Sequence, residues 1–434
     1  MRCLVTGAYG FIGQEVARAL KRDGWTVIGA GRDIALGSRL LPDIEWIACD
    51  FNRDTDAAIW APRLAGIDAV VNCVGVLQSS FRDDADKIHA RSTIALFEAC
   101  AAARVKRLVN ISAVSAEADM ATSYARSKAE ADAALLGLDG NWLIVKPSLV
   151  IGRGSYGGTS LLRGLAGFPG LLPLPGHATE RFQPIALDDL ARGIAQLASR
   201  EQPARTTLYA AGPDRLSVRD IVLGYRAWLG FLEAREIVLP LPLLKLLLRL
   251  GDGAGLLGYP TSLRSTSLAQ MRHDAPVDGS GFASACGGTP KGFRETLHAW
   301  PATLQDRLHA RAFFVVPLLH VTLALFWIMI GLVTLVPRSF EAAISLVTAT
   351  GFDRTLAVIL VGSAAIADIV AGALFLLPRF VRRAGVAQLL LSAFYFLGLS
   401  LIAPGLWTDN FGPLLKVLPM MAATAVVMAA QENR

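Results

Sequence analysis

Cysteine is scarce in this 434-residue chain, and charge is almost missing between residues 312 and 430. The five cysteines (Cys3, Cys49, Cys73, Cys100 and Cys286) include no CxxC pair and no metal-type spacing. That pattern excludes a disulfide framework, and no bound metal is expected. Four of the five fall in apolar segments and read as reduced core residues of a cytosolic unit. Nor is any Lys/Arg block interleaved with aromatics, so a formal charge of +6 implies no nucleic-acid partner. No secretory leader is expected ahead of a first strand that opens at Arg2. What is abundant is apolar: 53% of the residues are hydrophobic and mean hydropathy is +0.45. The excess lies in 312–430, whereas 1–310 alternates charged and apolar stretches.

The segment "RCLVTGAYGFIG" runs from an apolar strand into a glycine-rich turn, and "QEVARALKRDG" continues it as a helix. In the order strand, GxxGxxG, helix, Gly7 allows the tight turn and Gly10 lets the backbone approach a pyrophosphate. Gly13 lets the helix pack closely on the strand. The helix N-terminus then offers the phosphates free N–H groups and its positive dipole end. Further strands follow at α/β spacing: "TVIGAG", "IEWIACD", "AVVNCVG", "RLVNIS" and "NWLIVKPS". They predict an α/β fold, a Rossmann-type doubly wound parallel sheet over 1–150, with 151–305 as a substrate lobe that completes the domain.

A dinucleotide fold that selects NAD usually carries an acid at the end of its second strand, to accept from the ribose 2′-hydroxyl. Gly31 and Arg32 stand there instead, which suits a 2′-phosphate. NADP(H) is favoured, with NAD(H) as the alternative. Asp33, one place on, is either a turn residue or a displaced ribose ligand.

Gly7, Gly10 and Gly13, "VNCVG" after the fourth strand and "YARSK" (Tyr124 to Lys128) together resemble the short-chain dehydrogenase/reductase superfamily. The likeness is to its extended and atypical branch, which includes nucleotide-sugar epimerases and the Rossmann-like accessory subunit of respiratory complex I. "KPSLVIGRG" and "RFQPIALDDLARGI" fit the same branch, so the resemblance covers roughly residues 1–300. It implies a cofactor cradle of Gly7, Tyr9, Gly10, Phe11, Ile12 and Gly13 in the first turn. Arg32, Asp50, Asn72 and Gly75 would follow the next strands, with Lys128 on the nicotinamide ribose. It also implies a catalytic Ser or Thr after the fifth strand, often the second residue of an SS pair. Here "ISAVSA" has Ala113 at that place, leaving Ser112 as the substrate-oxygen ligand and Ser115 as its alternative. This departure weakens the expectation of efficient carbonyl chemistry.

Tyr124 and Lys128, four apart, share one face of a helix. An ammonium beside the phenol favours phenolate and is expected to lower its pKa from about 10. Tyr124 would then move a proton at a substrate oxygen while the nicotinamide moves hydride.

In 151–305, Asp188 and Asp189 precede an apolar-periodic helix and read as N-caps. "LPLPLLKLLLRLG" (239–251) is too short to span a bilayer; it is a core helix of the lobe or a helix in the membrane interface. Four later apolar runs, 312–336, 355–378, 384–407 and 411–430, each approach the ~20 residues of a spanning helix. They predict a four-helix transmembrane domain over 306–434, which resembles the DoxX-like membrane family in hydropathy, length and placement. That family is associated with quinone-linked or redox membrane systems. Arg307, Arg311, Arg379, Arg382 and Arg383 flank one side and Arg338 and Arg354 the other. The positive-inside rule therefore puts both termini on the cytoplasmic side of the inner membrane. Asp368 lies mid-run in "GSAAIADIVAGALF", and its helical neighbours Ala364, Ala365, Ala371 and Gly372 are all small. They predict that it points into the bundle, either facing His320 or protonated against a carbonyl or hydroxyl.

The sequence thus reads as a membrane-anchored NADP(H)-dependent oxidoreductase with a lipophilic small-molecule substrate. One alternative is a nucleotide-binding scaffold or assembly factor of a membrane redox complex; a nucleotide-sugar epimerase ranks third.

Overall fold

The six apolar segments read as strands all form. They are β1 (Arg2–Thr6), β2 (Thr26–Gly31), β3 (Glu45–Ala48), β4 (Ala69–Asn72), β5 (Arg107–Ile111) and β6 (Trp142–Pro147). A further strand, β7 (Thr206–Ala210), completes a seven-stranded sheet in the order β7-β6-β5-β4-β1-β2-β3. Every ladder in it is parallel. The computed structural model describes residues 1–76, 79, 83–117, 122–175, 180–200, 203–259, 261–271, 277–409 and 412–431. It divides into two units, Met1–Leu256 with Pro260–Ala310, and Leu257–Tyr259 with Arg311–Arg434.

The strands of the first unit are apolar on both faces because helices cover both faces. Along β1, Cys3 and Val5 enter one layer with Val16 and Leu20 of α1 (Phe11–Arg22). Leu4 enters the other layer with Leu96 and Phe97 of α2 (Ser92–Ala102) and Leu135 of α3 (Ser123–Leu136). The first layer is closed by Leu190 and Ile194 of α4 (Leu187–Ser199). Each fully buried aliphatic side chain here contributes roughly 1.5–3 kcal/mol. Strand order reverses between β1 and β4, so the crevice at their carboxyl ends is where such a sheet takes ligands. All five cysteines are free, with Cys3, Cys49 and Cys100 buried in these layers. Asp188 and Asp189 do not cap α4: its N-cap is Ala186, and no side chain caps it. Asp189 instead accepts from the distant Lys291 N–H and pairs with Arg192, a use of the carboxylate that only the folded chain offers.

The second unit reverses this logic. It follows α5 (Leu241–Leu256) of the first unit in the chain and contains α6 (Leu304–Thr334) from Arg311 on, α7 (Pro337–Thr348), α8 (Arg354–Phe375), α9 (Val381–Ile402) and α10 (Val417–Ala430). Large apolar side chains such as Leu325, Leu390, Phe394 and Leu401 face outward, while Asp368, Gln388, Ser392 and Thr424 are buried. Among the described residues three helices, α6, α8 and α9, are long and apolar enough to cross a membrane, and α10 is a shorter apolar helix. The expected fourth span, 411–430, is therefore helical only from Val417. Gly412 takes the left-handed φ of +51°, and residues 413–416 form turns ahead of the helix. The sequence also missed α7, between the first two long helices.

Asp368 does point into the bundle, on the small-residue face the sequence predicts. A Cβ on Gly372 would lie 2.7 Å from the Ala324 carbonyl oxygen, so α6 and α8 approach at backbone distance. Of the two expected arrangements it takes the one with a hydroxyl and not the one with His320. The Tyr395 hydroxyl donates to Asp368 Oδ1 at 2.8 Å, whereas His320 Nε2 lies 2.7 Å from the Phe375 carbonyl oxygen. Asp368 and Phe375 are two turns apart on one helix, so His320 meets α8 two turns away from Asp368. Tyr395→Phe removes the donor from Asp368 and is expected to cost ~1 kcal/mol, read as a lower Tm of the full chain in mild detergent. Asp368→Asn still accepts from Tyr395 and should lose less; a larger loss for Asp368→Asn would count against the pair.

Candidate active site

The first turn is built as its glycines require. Gly7 sits at φ +66°, and a Cβ there would press on the Cys73 backbone at 3.1 Å. A Cβ on Gly13 would collide with the Gly7 carbonyl, while one on Gly10 would meet only that carbonyl, at 3.0 Å. Gly10 is the N-cap of α1, where no side chain caps the helix and no acid stands in the first turn. Its leading N–H groups are therefore left for an anion. This cradle fits a pyrophosphate. Phe11 stacks on Tyr156 (5.7 Å between centroids), and Ile12 packs partly buried against the core.

At the end of β2, Tyr9 lies over Gly31 so closely that a side chain there would enter its ring. The Tyr9 hydroxyl accepts from the Arg32 N–H, and its ring stacks on Trp46. The Arg32 guanidinium pairs with Asp83 at 2.6 Å and stays half exposed. Asp33 caps the helix Ile34–Leu40 by accepting from Leu36 N–H, so its carboxylate is a turn device. Asp50 accepts from Asn52 N–H in the turn after β3.

The register of β1, β4 and β5 sets Thr6 beside Asn72 and Asn72 beside Asn110. Thr6 Oγ1 donates to Asn72 Oδ1 (2.7 Å), Asn72 Nδ2 to Asn110 Oδ1 (2.9 Å), and Asn110 Nδ2 to Asp132 Oδ1 (3.1 Å). Ser112 Oγ donates to Asp132 Oδ2 at 2.6 Å, and Lys146 Nζ lies 3.2 Å from the same oxygen. Ser112 is buried with its hydroxyl committed to Asp132, and the Asn72 side chain is committed to Thr6, Val74 and Asn110.

Tyr124 and Lys128 lie on α3 as their spacing predicts. Lys128 Nζ donates to the Ile111 carbonyl (2.8 Å) and the Val74 carbonyl (3.3 Å), at the ends of β5 and β4. A Cβ on Gly75 would be 3.5 Å from Lys128 Nζ and 3.6 Å from His89 Nε2. His89, in a single π-helical turn (Lys87–Arg91) before α2, meets the Tyr124 ring edge-on at 5.2 Å. The Val76 N–H donates to His89 Nε2 at 2.9 Å, so Nδ1 carries the proton and faces Ser127 Oγ at 3.1 Å.

Residues 3–205 match the NAD dependent epimerase/dehydratase family, and residues 324–425 match the DoxX-like family. The chain joins an epimerase/dehydratase-family domain to a DoxX-like domain. A ceramide reductase from Caulobacter vibrioides is 28% identical over 43% of this chain. The mitochondrial NADH dehydrogenase [ubiquinone] 1 alpha subcomplex subunit 9 of Rattus norvegicus is 27% identical over 55% of it. The aligned regions span 57% and 63% of those relatives' own lengths. Among solved structures, a dTDP-glucose 4,6-dehydratase from Bacillus anthracis in complex with NAD is similar in fold. It has a TM-score of 0.53 and 14% identity, and the match covers 72% of this chain and 98% of that one.

Electrostatics in the epimerase/dehydratase domain correct one expectation. Burial, with Asp132 adding to it, pushes the Tyr124 phenol up to about 12. Lys128 does not lower it, because its ammonium is turned to backbone carbonyls. Burial brings Lys128 itself down to about 8, against the opposing pull of Asp132. Burial, then the Lys128 charge, holds His89 well below its ordinary value, so it is neutral. Asp132 was legible: Tyr124, Lys128 and Asp132 at i, i+4 and i+8 share a helix face. His89 carried no comparable signal.

Lys128 gives a pH test with a definite sign. The folded chain releases this proton at about 8 and an unperturbed lysine at 10.5. Between those values the unfolded state holds more protons, so stability rises with pH; below 8 the full cost of burying the ammonium is present. Lys128→Met should therefore lose ground to wild type in Tm as pH climbs through that window. A constant difference would refute the buried-ammonium account.

Proposed function

We propose that the chain is a membrane-anchored, NADP(H)-dependent oxidoreductase acting on a carbonyl, alcohol or quinone-type group of a lipophilic substrate. The observation that carries this reading is the gathering of Lys128 Nζ and His89 at Gly75, with the Tyr124 ring against His89, next to the Gly7–Gly13 turn and its N–H donors. When bound, a nicotinamide cofactor supplies or accepts hydride. The chain's own part is to hold it and manage the proton. Gly7, Gly10, Gly13 and the α1 N-terminus would take the pyrophosphate, with Tyr9, Phe11, Ile12, Asp50 and the Asn72–Gly75 backbone lining the remainder. Arg32, half exposed beside Asp83, would take a 2′-phosphate. Tyr124, a neutral phenol at pH 7, holds a proton for a developing alkoxide, which favours reduction of a carbonyl. Lys128, its ammonium held at the Val74 and Ile111 carbonyls, would bond the nicotinamide ribose. Ser112 acts on the site through Asp132, and the half-buried Ser115 is the hydroxyl we assign to the substrate oxygen.

The apolar helices and the relative named for reducing a ceramide support a lipid-like substrate. The arginine distribution supports an inner-membrane location with both termini cytoplasmic. A second reading, a weakly catalytic scaffold in a membrane redox complex, draws on Ala113 and on the complex I subunit among the relatives.

Calorimetry on the full chain in mild detergent should find NADPH bound about tenfold or more tighter than NADH, a gap of ~1.4 kcal/mol. Arg32→Ala should narrow that gap, and Gly10→Val should abolish binding of both; equal wild-type affinities would overturn the NADP assignment. Tyr124→Phe should cut turnover of a long-chain ketone by about 100-fold or more while leaving NADPH affinity nearly unchanged. Undiminished turnover in that variant would move the chain to the scaffold class.

A further inference from the structure

The helix α5 is written LPLLKLLLRLGDGAGL and belongs to the first unit. Its inward face is Leu244, Leu248, Gly251 and Gly255. Gly251 lies so close to the Leu263 carbonyl, and Gly255 to the Arg264 guanidinium, that a Cβ at either would collide. Packing of this face therefore uses only two of the helix's leucines. Leu241, Leu243, Leu246, Leu250 and Leu256 are each 44–73% exposed. At 100° per residue, Leu243, Leu246 and Leu250 share the face opposite the glycines, and Lys245 and Arg249 flank it one turn apart. Both cations are exposed. Asp252, the one acid in the helix, is turned to the Ser265 N–H and to Arg264. The outward surface is thus apolar and positive, with no negative charge of its own.

A helix that faces bulk water places polar residues outward, and a leucine ridge there is unfavourable by roughly 25 cal/mol per Å² of apolar surface. An apolar ridge flanked by long-stemmed cations is the pattern of a helix lying in a lipid interface. We infer that α5 seats in the headgroup region of an anionic leaflet, its leucines among the acyl chains and Lys245 and Arg249 on lipid phosphates. The chain's own apolar helices hold a bilayer at high effective concentration, which selects lipid over a soluble protein as the occupant. This inference does not depend on the proposed reaction, and NADPH affinity of each variant reports separately on that reading.

The test uses the full chain in nanodiscs containing phosphatidylglycerol, with Cys73 and Cys286 replaced by alanine to remove background labelling. Nitroxide labels at Leu246→Cys and Leu250→Cys should report a depth of about 5–10 Å, with an oxygen-to-nickel-complex accessibility ratio about fivefold above that at Leu136→Cys. Leu136 is an exposed leucine at the end of α3 and serves as the aqueous reference. Adding Lys245→Glu and Arg249→Glu, or replacing the anionic lipid with phosphatidylcholine, should reduce that ratio. Labels at Leu246 and Leu250 as open to the nickel complex as the one at Leu136 would overturn the inference. Dipolar broadening between labels at Leu246, revealing a second copy on this face, would also overturn it.

Discussion

A buried carboxylate sets the terms on which the carboxyl end of the sheet is assembled. Asp132 stands on α3 against the carboxyl ends of the strands, where an unpaired charge would be costly. It is made tolerable by donors from Asn110, Ser112 and Lys146, and the chain of bonds behind Asn110 extends through Asn72 to Thr6. Each side chain in that series donates to the next, and Asp132 is where the direction ends. Burial still holds its carboxyl above the ordinary range, against the pull of Ser112, Lys146 and Lys128. Because α3 also carries Tyr124 and Lys128, the network that satisfies Asp132 fixes the helix to β1, β4, β5 and β6. The positions of the phenol and ammonium follow from it.

The same requirement governs the DoxX-like domain in a different solvent. Where lipid surrounds a bundle, apolar burial no longer separates inside from outside, and small or polar residues do so instead. Gly331 and Gly372 let α6 and α8 approach at backbone distance. Asp368 finds Tyr395 across the α8–α9 hairpin, and Gln388 donates to the Ala371 carbonyl. In both domains a carboxylate is accepted in a low-dielectric place only because a hydroxyl or amide from a neighbouring element is delivered to it.

Much of this architecture was legible before folding. Strand and helix positions follow from local periodicity, the glycine turn from conformations that only glycine allows, and the membrane segments from their length without charge. Tyr124 and Lys128 share a face through spacing alone. Gly7 at positive φ and the uncapped start of α1 appear where the motif puts them. These features depend on residues within a turn or two of one another, so the chain's own order determines them.

What the tertiary structure alone decided is how polar groups are paired. Ser112 and Asp132 are 20 apart in sequence, Asn72 and Asn110 are 38 apart, and Asp368 and Tyr395 are 27 apart. Periodicity says which face a side chain takes but not which distant donor arrives there. It could not tell that Ser112 would hold Asp132, that Asp189 would receive the Lys291 amide, or that Asp368 would choose Tyr395 over His320. Nor could it weigh burial against charge at Tyr124, because desolvation depends on everything packed around the phenol, whereas the proximity of Lys128 can be read from four positions along a helix.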